Sequence, residues 1–201
     1  MGIHERKERE KHEKRRLILD TAMQLFIDEG YENVSIRKIA EKIEYSPATI
    51  YLYFRDKDEI YHNLQQEGFK IFLEALSRSE AVEDPMERVI DLGHRYIRFG
   101  IENPEYYDLM FISRSPMKKV DGPKDWKDGI ESYLVLFRTA QFAIDNDKFT
   151  ESDATAVASG LWSMVHGLVS LVNRGRIDMG EQEGKADKVI KVFDNFVKGF
   201  F

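Results

Sequence analysis

The 201 residues contain no cysteine, which excludes disulfide frameworks, thiolate zinc sites and cysteine nucleophiles at the outset. A chain without thiols fits a reducing compartment. Proline is sparse, at five positions, and alternating apolar and polar runs closed by Asn-Gly or Asp-Gly turns do not occur, so strand signals are nearly missing. The first ten residues, MGIHERKERE, lack the apolar stretch of an export signal, and a cytoplasmic location is expected. One long uncharged run stands out, the 20 residues from Ala154 to Asn173. Its length would suffice to cross a bilayer, but Thr155, Ser159, Ser163, His166, Ser170 and Asn173 interrupt it. A buried helix of a soluble protein, with no membrane partner, is the expectation.

What the chain does have is charge of both signs: 36 acidic and 30 basic residues give a net charge of −6. Residues 1–57 hold 12 basic and 11 acidic side chains, against 18 and 25 in the remainder, and seven of those basic residues fall between Arg6 and Arg16. A near-neutral head on an acidic body binds polyanions weakly unless charge is placed locally, which argues against a histone-like binder. With 42% apolar residues, the chain is long enough to bury a core without staples.

Apolar spacings of three and four recur throughout, and each proline sits where a helix can begin. Ser46-Pro47, Asp84-Pro85 with Glu87, Asn103-Pro104 and Ser115-Pro116 place a capping side chain before the ring; Gly122-Pro123 is a weaker version. Asp56 with Glu59 and Thr150 with Asp153 have the spacing of capping boxes. These marks predict an all-α chain of about nine helices, over 14–29, 36–42, 47–54, 57–79, 85–102, 104–113, 123–146, 151–174 and 182–199, with no internal repeat.

The two shortest predicted helices, the second and third, are adjacent. Ser35 can cap the second, in which Ile36, Ile39, Ala40 and Ile43 form one apolar face. Ser46 can cap the third, where Ile50 and Phe54 can point inward and leave Pro47, Ala48, Thr49, Tyr51, Leu52 and Tyr53 for other uses. Two short helices joined by a tight turn form the helix-turn-helix unit, whose second helix enters the DNA major groove by its N-terminal end. That end carries no acidic side chain here, and its free N–H groups favour a phosphate. Tyr51, Tyr53 and Lys57 add hydroxyls and a cation within two turns; the alternative is that both tyrosines are packing residues and Lys57 a solvated charge.

The string SIRKIAEKIEYSPATIYLYFRDKDEI, residues 35–60, preceded by ILDTAMQLFIDEGYENV, resembles the DNA-binding domain of the tetracycline-repressor (TetR) family of bacterial transcription regulators. The resemblance covers residues 14–60, with Ala22, Phe26, Gly30, Ile39, Ala40, Ser46, Thr49, Ile50, Tyr51, Phe54 and Lys57 at the family's spacing. It implies a three-helix DNA-binding domain over residues 1–56, including the basic arm, and a helical effector-binding and dimerisation domain over 57–201. It further implies phosphate contacts from Ser35, Arg37, Ser46, Tyr51, Tyr53 and Lys57, and a base-facing role for Pro47, Ala48 and Thr49. Glu44 departs from the pattern, since the family usually has glycine in that turn; either the turn is strained or its geometry differs. The chemistry of the third helix adds a point of its own: it has no Arg, Asn, Gln or Lys, so bidentate readers of guanine and adenine are absent. Sequence choice is then expected to rest on thymine methyls, DNA shape, and Arg37 or the arm. The arm, KEREKHEKRR, either extends the first helix as a solvated surface or touches DNA.

In the body, the eighth helix is apolar around most of its circumference, with a small stripe at Ala156, Gly160, Ser163, Gly167 and Ser170. Both sides need covering. The ninth carries Val189, Val192, Phe193, Phe196, Val197, Phe200 and Phe201. A homodimer through a four-helix bundle of helices 8 and 9 follows, which the resemblance also implies; the alternative packs the ninth helix on its own subunit only. RYIRFGIENPEYYDLMF, residues 95–111, and Trp162, His166 and Gly167 resemble one C-terminal subgroup of these regulators, which implies an effector cavity. Tyr96, Phe99, Met110, Phe111, Tyr133, Phe137, Trp162 and His166 are the candidate lining, suited to an apolar or aromatic effector; a core histidine is the alternative for His166. Glu59 with His62 and Asp91 with His94 have the carboxylate-x-x-histidine spacing of di-iron bundles but lack two further inward carboxylates, so no metal or other cofactor is expected. No nucleophile–base set is present. The sequence reads as a ligand-responsive DNA-binding repressor acting on a double-stranded operator, not an enzyme.

Overall fold

The computed structural model describes residues 2–113 and 126–197. The helix starts read at Ser115-Pro116 and Gly122-Pro123, and the aromatic pair Phe200 and Phe201, lie outside the described residues. Along the chain run α1 (Ile3–Glu29), a 3₁₀ turn (Tyr31–Asn33), α2 (Ile36–Lys42), α3 (Pro47–Tyr51), α4 (Lys57–Ser77), a second 3₁₀ turn (Arg78–Ala81), α5 (Pro85–Glu102) and α6 (Pro104–Tyr107). A π turn (Asp108–Ile112) follows, then α7 (Lys127–Asp145), α8 (Ala154–Asn173) and α9 (Lys185–Val197). The described residues contain nine α-helices and no strand, as the periodicity predicts.

Two compact units emerge, Met1–Gly68 with Glu105–Asp121, and Phe69–Pro104 with Gly122–Phe201. The first therefore continues past residue 56, because Ile60, Tyr61 and Leu64 of α4 join Ile18, Ala22, Phe26, Ile39, Ile50 and Phe54 in one core that also takes in Leu109. Phe26, Tyr31 and Tyr61 form an aromatic triangle with centroids 5.2–5.6 Å apart. α1 starts at Ile3 rather than residue 14: the Glu5 carboxylate accepts from the Gly2 N–H at 2.9 Å, and Arg6–Glu10 and Arg9–Glu13 pair one turn apart along the arm. The arm is a continuation of the first helix.

α6 is shorter than predicted. After Tyr107 the backbone widens into the π turn, closed by the Ser113 N–H donating to the Asp108 carbonyl at 2.8 Å. The Tyr61 hydroxyl and the Gln65 amide, both on α4, donate to the Leu109 carbonyl at 2.9 and 3.0 Å, so this buried acceptor is doubly satisfied.

The second unit is built around α5, which packs against α7, α8 and α9. Asp84 caps α5 by accepting from the N–H groups of Met86 and Glu87 at 2.9 Å. Asp153 caps α8 through the Thr155 N–H, so α8 begins at Ala154 and not at the predicted 151. α9 is fastened to α5 by His94–Asp194 at 2.5 Å and Arg98–Asp187 at 2.8 Å, with Phe193 lying under Gly93.

The tight turn between α2 and α3 is a Schellman motif: Tyr45 donates to the Ala40 carbonyl at 2.9 Å and Glu44 to that of Glu41 at 3.2 Å. Glu44 has φ of 58°, so the position that the family resemblance fills with glycine is strained here. Glu44→Gly is expected to stabilise the protein by about 0.5–1 kcal/mol, since relief of the left-handed strain exceeds the added freedom of the unfolded chain. Calorimetry should show a melting temperature raised by roughly 1–4 °C.

Candidate nucleic-acid interface

Both caps of the helix-turn-helix are in place. The Ser35 hydroxyl accepts from the Lys38 N–H at 3.2 Å and opens α2; Ser46 accepts from the Thr49 N–H at 3.2 Å and opens α3, with its Oγ 2.9 Å from Thr49 Oγ1. Pro47 occupies the first position of α3, where its missing N–H is no loss. Ile50 and Phe54 are buried in the first unit's core, which fixes the face that α3 turns outward.

That outer face carries Ser46 and Ala48, both exposed, with Pro47 and Thr49 half-buried beside them. Tyr51 is 56% exposed. Tyr53 differs: it is half-buried and packs against the core, so it combines packing with a partly accessible ring. Arg37, at the second position of α2, is exposed, as is Ser35. Sequence reasoning left Leu52 unassigned, yet it is 80% exposed, more than any other large apolar residue among those described.

Lys57 is not simply a solvated charge. Its ammonium donates to the carbonyls of Tyr31 and Val34 at 2.8 and 2.9 Å and lies 4.1 Å from the Tyr31 ring centroid. The Tyr31 hydroxyl in turn donates to Asp58; burial first, then this bond, raises the hydroxyl above its ordinary range. The start of α4 thereby holds the segment that leads into Ser35 and α2. Asp56 caps α4 by accepting from the Glu59 N–H at 2.9 Å, and the Glu59 carboxylate accepts from the Arg55 N–H at 2.6 Å.

Residues 18–64 match the model of bacterial regulatory proteins of the tetR family, and residues 89–192 match the tetracyclin repressor-like C-terminal domain. The chain belongs to the TetR family. This TetR-family chain is 32% identical over 140 residues to an HTH-type transcriptional regulator of Staphylococcus aureus (strain USA300), covering 69% of this chain and 72% of that one. It is 24% identical over 166 residues to the HTH-type transcriptional regulator YobS of Bacillus subtilis (strain 168), covering 83% and 82%. The crystal structure of the TetR family transcriptional regulator PfmR from Thermus thermophilus shares the fold, with a TM-score of 0.69 at 22% identity over 86% of this chain and 93% of that chain. The protein is thus a TetR-family helix-turn-helix transcriptional regulator, and the relatives it matches are regulators rather than enzymes.

In the second unit of this regulator, three of the candidate effector residues form a hydrogen-bonded chain. The Trp162 indole N–H donates to the Tyr96 hydroxyl at 3.1 Å, and that hydroxyl lies 2.9 Å from His166 Nδ1. Burial lowers the basicity of His166 and so favours the neutral ring, whose tautomer decides which of the two groups donates. Phe99 is buried and packs at a tilt against Phe72, itself edge-on to Tyr96. Tyr133 is exposed and Phe137 half-buried on α7. Met110 and Phe111 belong to the first unit, where Met110 packs on Gly68 and Phe111 on Tyr107. An open groove of about 300 Å³ lies elsewhere in the second unit, lined by Phe149, Ala156, Gly160, Leu161, Met164 and Phe196. None of the eight candidates lines it.

In the second carboxylate-x-x-histidine pair, Asp91 pairs with Arg95 and His94 with Asp194; in the first, the Glu59 carboxylate accepts from the Arg55 N–H. The described residues contain no group of three or more metal-ligating side chains. α8 is long and apolar enough to cross a membrane by length and composition, and 28% of its most apolar window is buried. The small stripe of α8 is open within the single chain: nothing lies within 4 Å of a Cβ placed at Gly160 or Gly167.

Proposed function

We propose that this regulator is a cytoplasmic homodimeric repressor that grips a palindromic operator with two copies of α3 and is released by a small apolar or aromatic effector. The observation that carries the reading is α3 itself, held from behind by Ile50 and Phe54 and presenting Ser46, Ala48, Thr49 and Tyr51 without an acidic group. Residues 1–56 then serve DNA binding and 57–201 effector binding and dimerisation. Support for a dimer through α8 and α9 comes from Leu171, Val192 and Phe196, 42–50% exposed, beside the open stripe at Gly160 and Gly167. Tyr96, Phe99, Trp162 and His166, aromatic groups with one polar chain among them, are the proposed effector contacts. Release works by linkage: an effector that favours a dimer whose reading helices depart from the ~34 Å repeat weakens DNA binding by the factor by which DNA weakens effector binding. α4, which contributes residues to both units, is the element that passes the change.

The test is selection of the purified protein against random duplex DNA at moderate salt, repeated with Tyr51→Phe, with the mass of the complex read by sedimentation. A palindromic site bound by two chains is expected, with affinity about tenfold lower for Tyr51→Phe, the scale of a lost hydrogen bond to a charged phosphate. No enriched site, from protein refolded to strip carried-over ligand, rejects the reading.

A further inference from the structure

Leu52 follows α3 with φ of −72° and ψ of −18°, so the helical register continues through it and its Cβ stands one turn above that of Ala48. Ala48 is exposed and Leu52 is 80% exposed, while Ile50 and Phe54 of the same segment are buried. The two outward side chains form a short apolar ridge on the helix proposed to enter the groove. Neither the core nor any neighbouring segment covers it.

A leucine has no hydrogen-bonding group, so it makes no directed bond to a phosphate, a base amine or a base carbonyl. Along the major-groove edges the four bases offer one apolar group, the C5-methyl of thymine. α3 itself contains no side chain that pairs bidentately with guanine or adenine. We propose that Leu52 is a base-reading residue that lays its isobutyl group, beside Ala48, against a thymine methyl in each half-site. This rests on the DNA-binding reading above and deepens it: the operator carries a required thymine opposite the C-terminal end of α3.

The test uses the full chain and the operator recovered by selection, in duplexes where each thymine of both half-sites is replaced in turn by uracil, which removes only the methyl. At one thymine position, uracil lowers wild-type affinity about fivefold or more per half-site, the cost of a single wrong base pair. Leu52→Ala binds the thymine operator as weakly as the wild type binds the uracil one, and loses less than about twofold further with uracil at that position, because contacting groups are coupled while independent ones add. Leu52→Met restores part of the penalty. Since Leu52 is outside the core, thermal melting of the alanine variant matches the wild type.

Equal weakening of operator, uracil operator and random duplex by Leu52→Ala overturns the proposal in favour of packing on the sugar–phosphate backbone. Unchanged binding everywhere means that Leu52 touches no DNA. If the wild type selects no site, the DNA-binding reading fails and takes this with it; a Tyr51-dependent operator without coupling between Leu52 and a methyl sinks the Leu52 role alone.

Discussion

Gly93→Ala is expected to lower the stability of the protein by about 2 kcal/mol and its melting temperature by roughly 4–8 °C. A Cβ at position 93 would lie 2.4 Å from Phe193 Cζ and 2.8 Å from Cε1, closer than any real contact. The Phe193 ring is 2% exposed and edge-on to His94, whose ring is tied to Asp194 one residue further along α9. The ring therefore has nowhere to go, and the strain is relieved only by moving α9 off α5. Overpacking of this kind costs about 1–3 kcal/mol, offset in part by the better helix propensity of alanine. Phe193→Leu in the same chain should restore part of the loss, and the double-mutant cycle isolates the clash from propensity. If Gly93→Ala melts at or above the wild-type temperature, the close approach of α5 and α9 is wrong.

The contrast between Gly93 and Glu44 illustrates what the sequence makes legible. Local rules suffice at Ser35, Ser46 and Asp84, where a short polar side chain meets the first N–H groups of a helix within three residues of itself; at α8 they name Thr150 as the cap, and Asp153 holds that place instead. The departure at Glu44 is equally visible, because the turn chemistry depends on one residue, and its φ of 58° selects the strained turn over an altered geometry. Gly93 carries no such local signal: its reason is an aromatic ring 100 positions away. The π turn after Tyr107 escapes for the same cause, since the Leu109 carbonyl is satisfied by Tyr61 and Gln65 of a distant helix. The arm was ambiguous because its alternating charges suit a solvated helix and a phosphate contact alike; the ion pairs along it show only that it is helical. Among the candidate effector residues, composition named aromatic side chains but had no way to divide them, and Met110 and Phe111 fall in a different compact unit from Tyr96, Trp162 and His166. Leu52 was visible as a residue without an assigned use, and only its exposure gives it one.

Lys57→Met should lower operator affinity at least tenfold and also reduce the stability of the first unit by about 2 kcal/mol, because its ammonium has two tasks. Two of its three N–H groups go to the carbonyls of Tyr31 and Val34, and the third makes no hydrogen bond among the described residues. Methionine keeps much of the apolar stem over the Tyr31 ring and deletes the charge, so both carbonyls lose their donor and the segment before Ser35 loosens. The two tasks separate in salt dependence. If the third N–H reaches a phosphate, each half-site loses one contact, and a dimer's slope of log affinity against log salt falls in magnitude by about 1.8, near 0.9 per neutralised phosphate. If Lys57 acts only by holding the loop, affinity drops while the slope stays at the wild-type value. Ser35→Ala supplies the comparison: it removes a cap worth about 1 kcal/mol and a hydroxyl but no charge, so its slope should equal that of the wild type. A Lys57→Met protein with wild-type slope would therefore assign the residue to positioning α2, and the phosphate contact implied by the family pattern would have to be given up at this position.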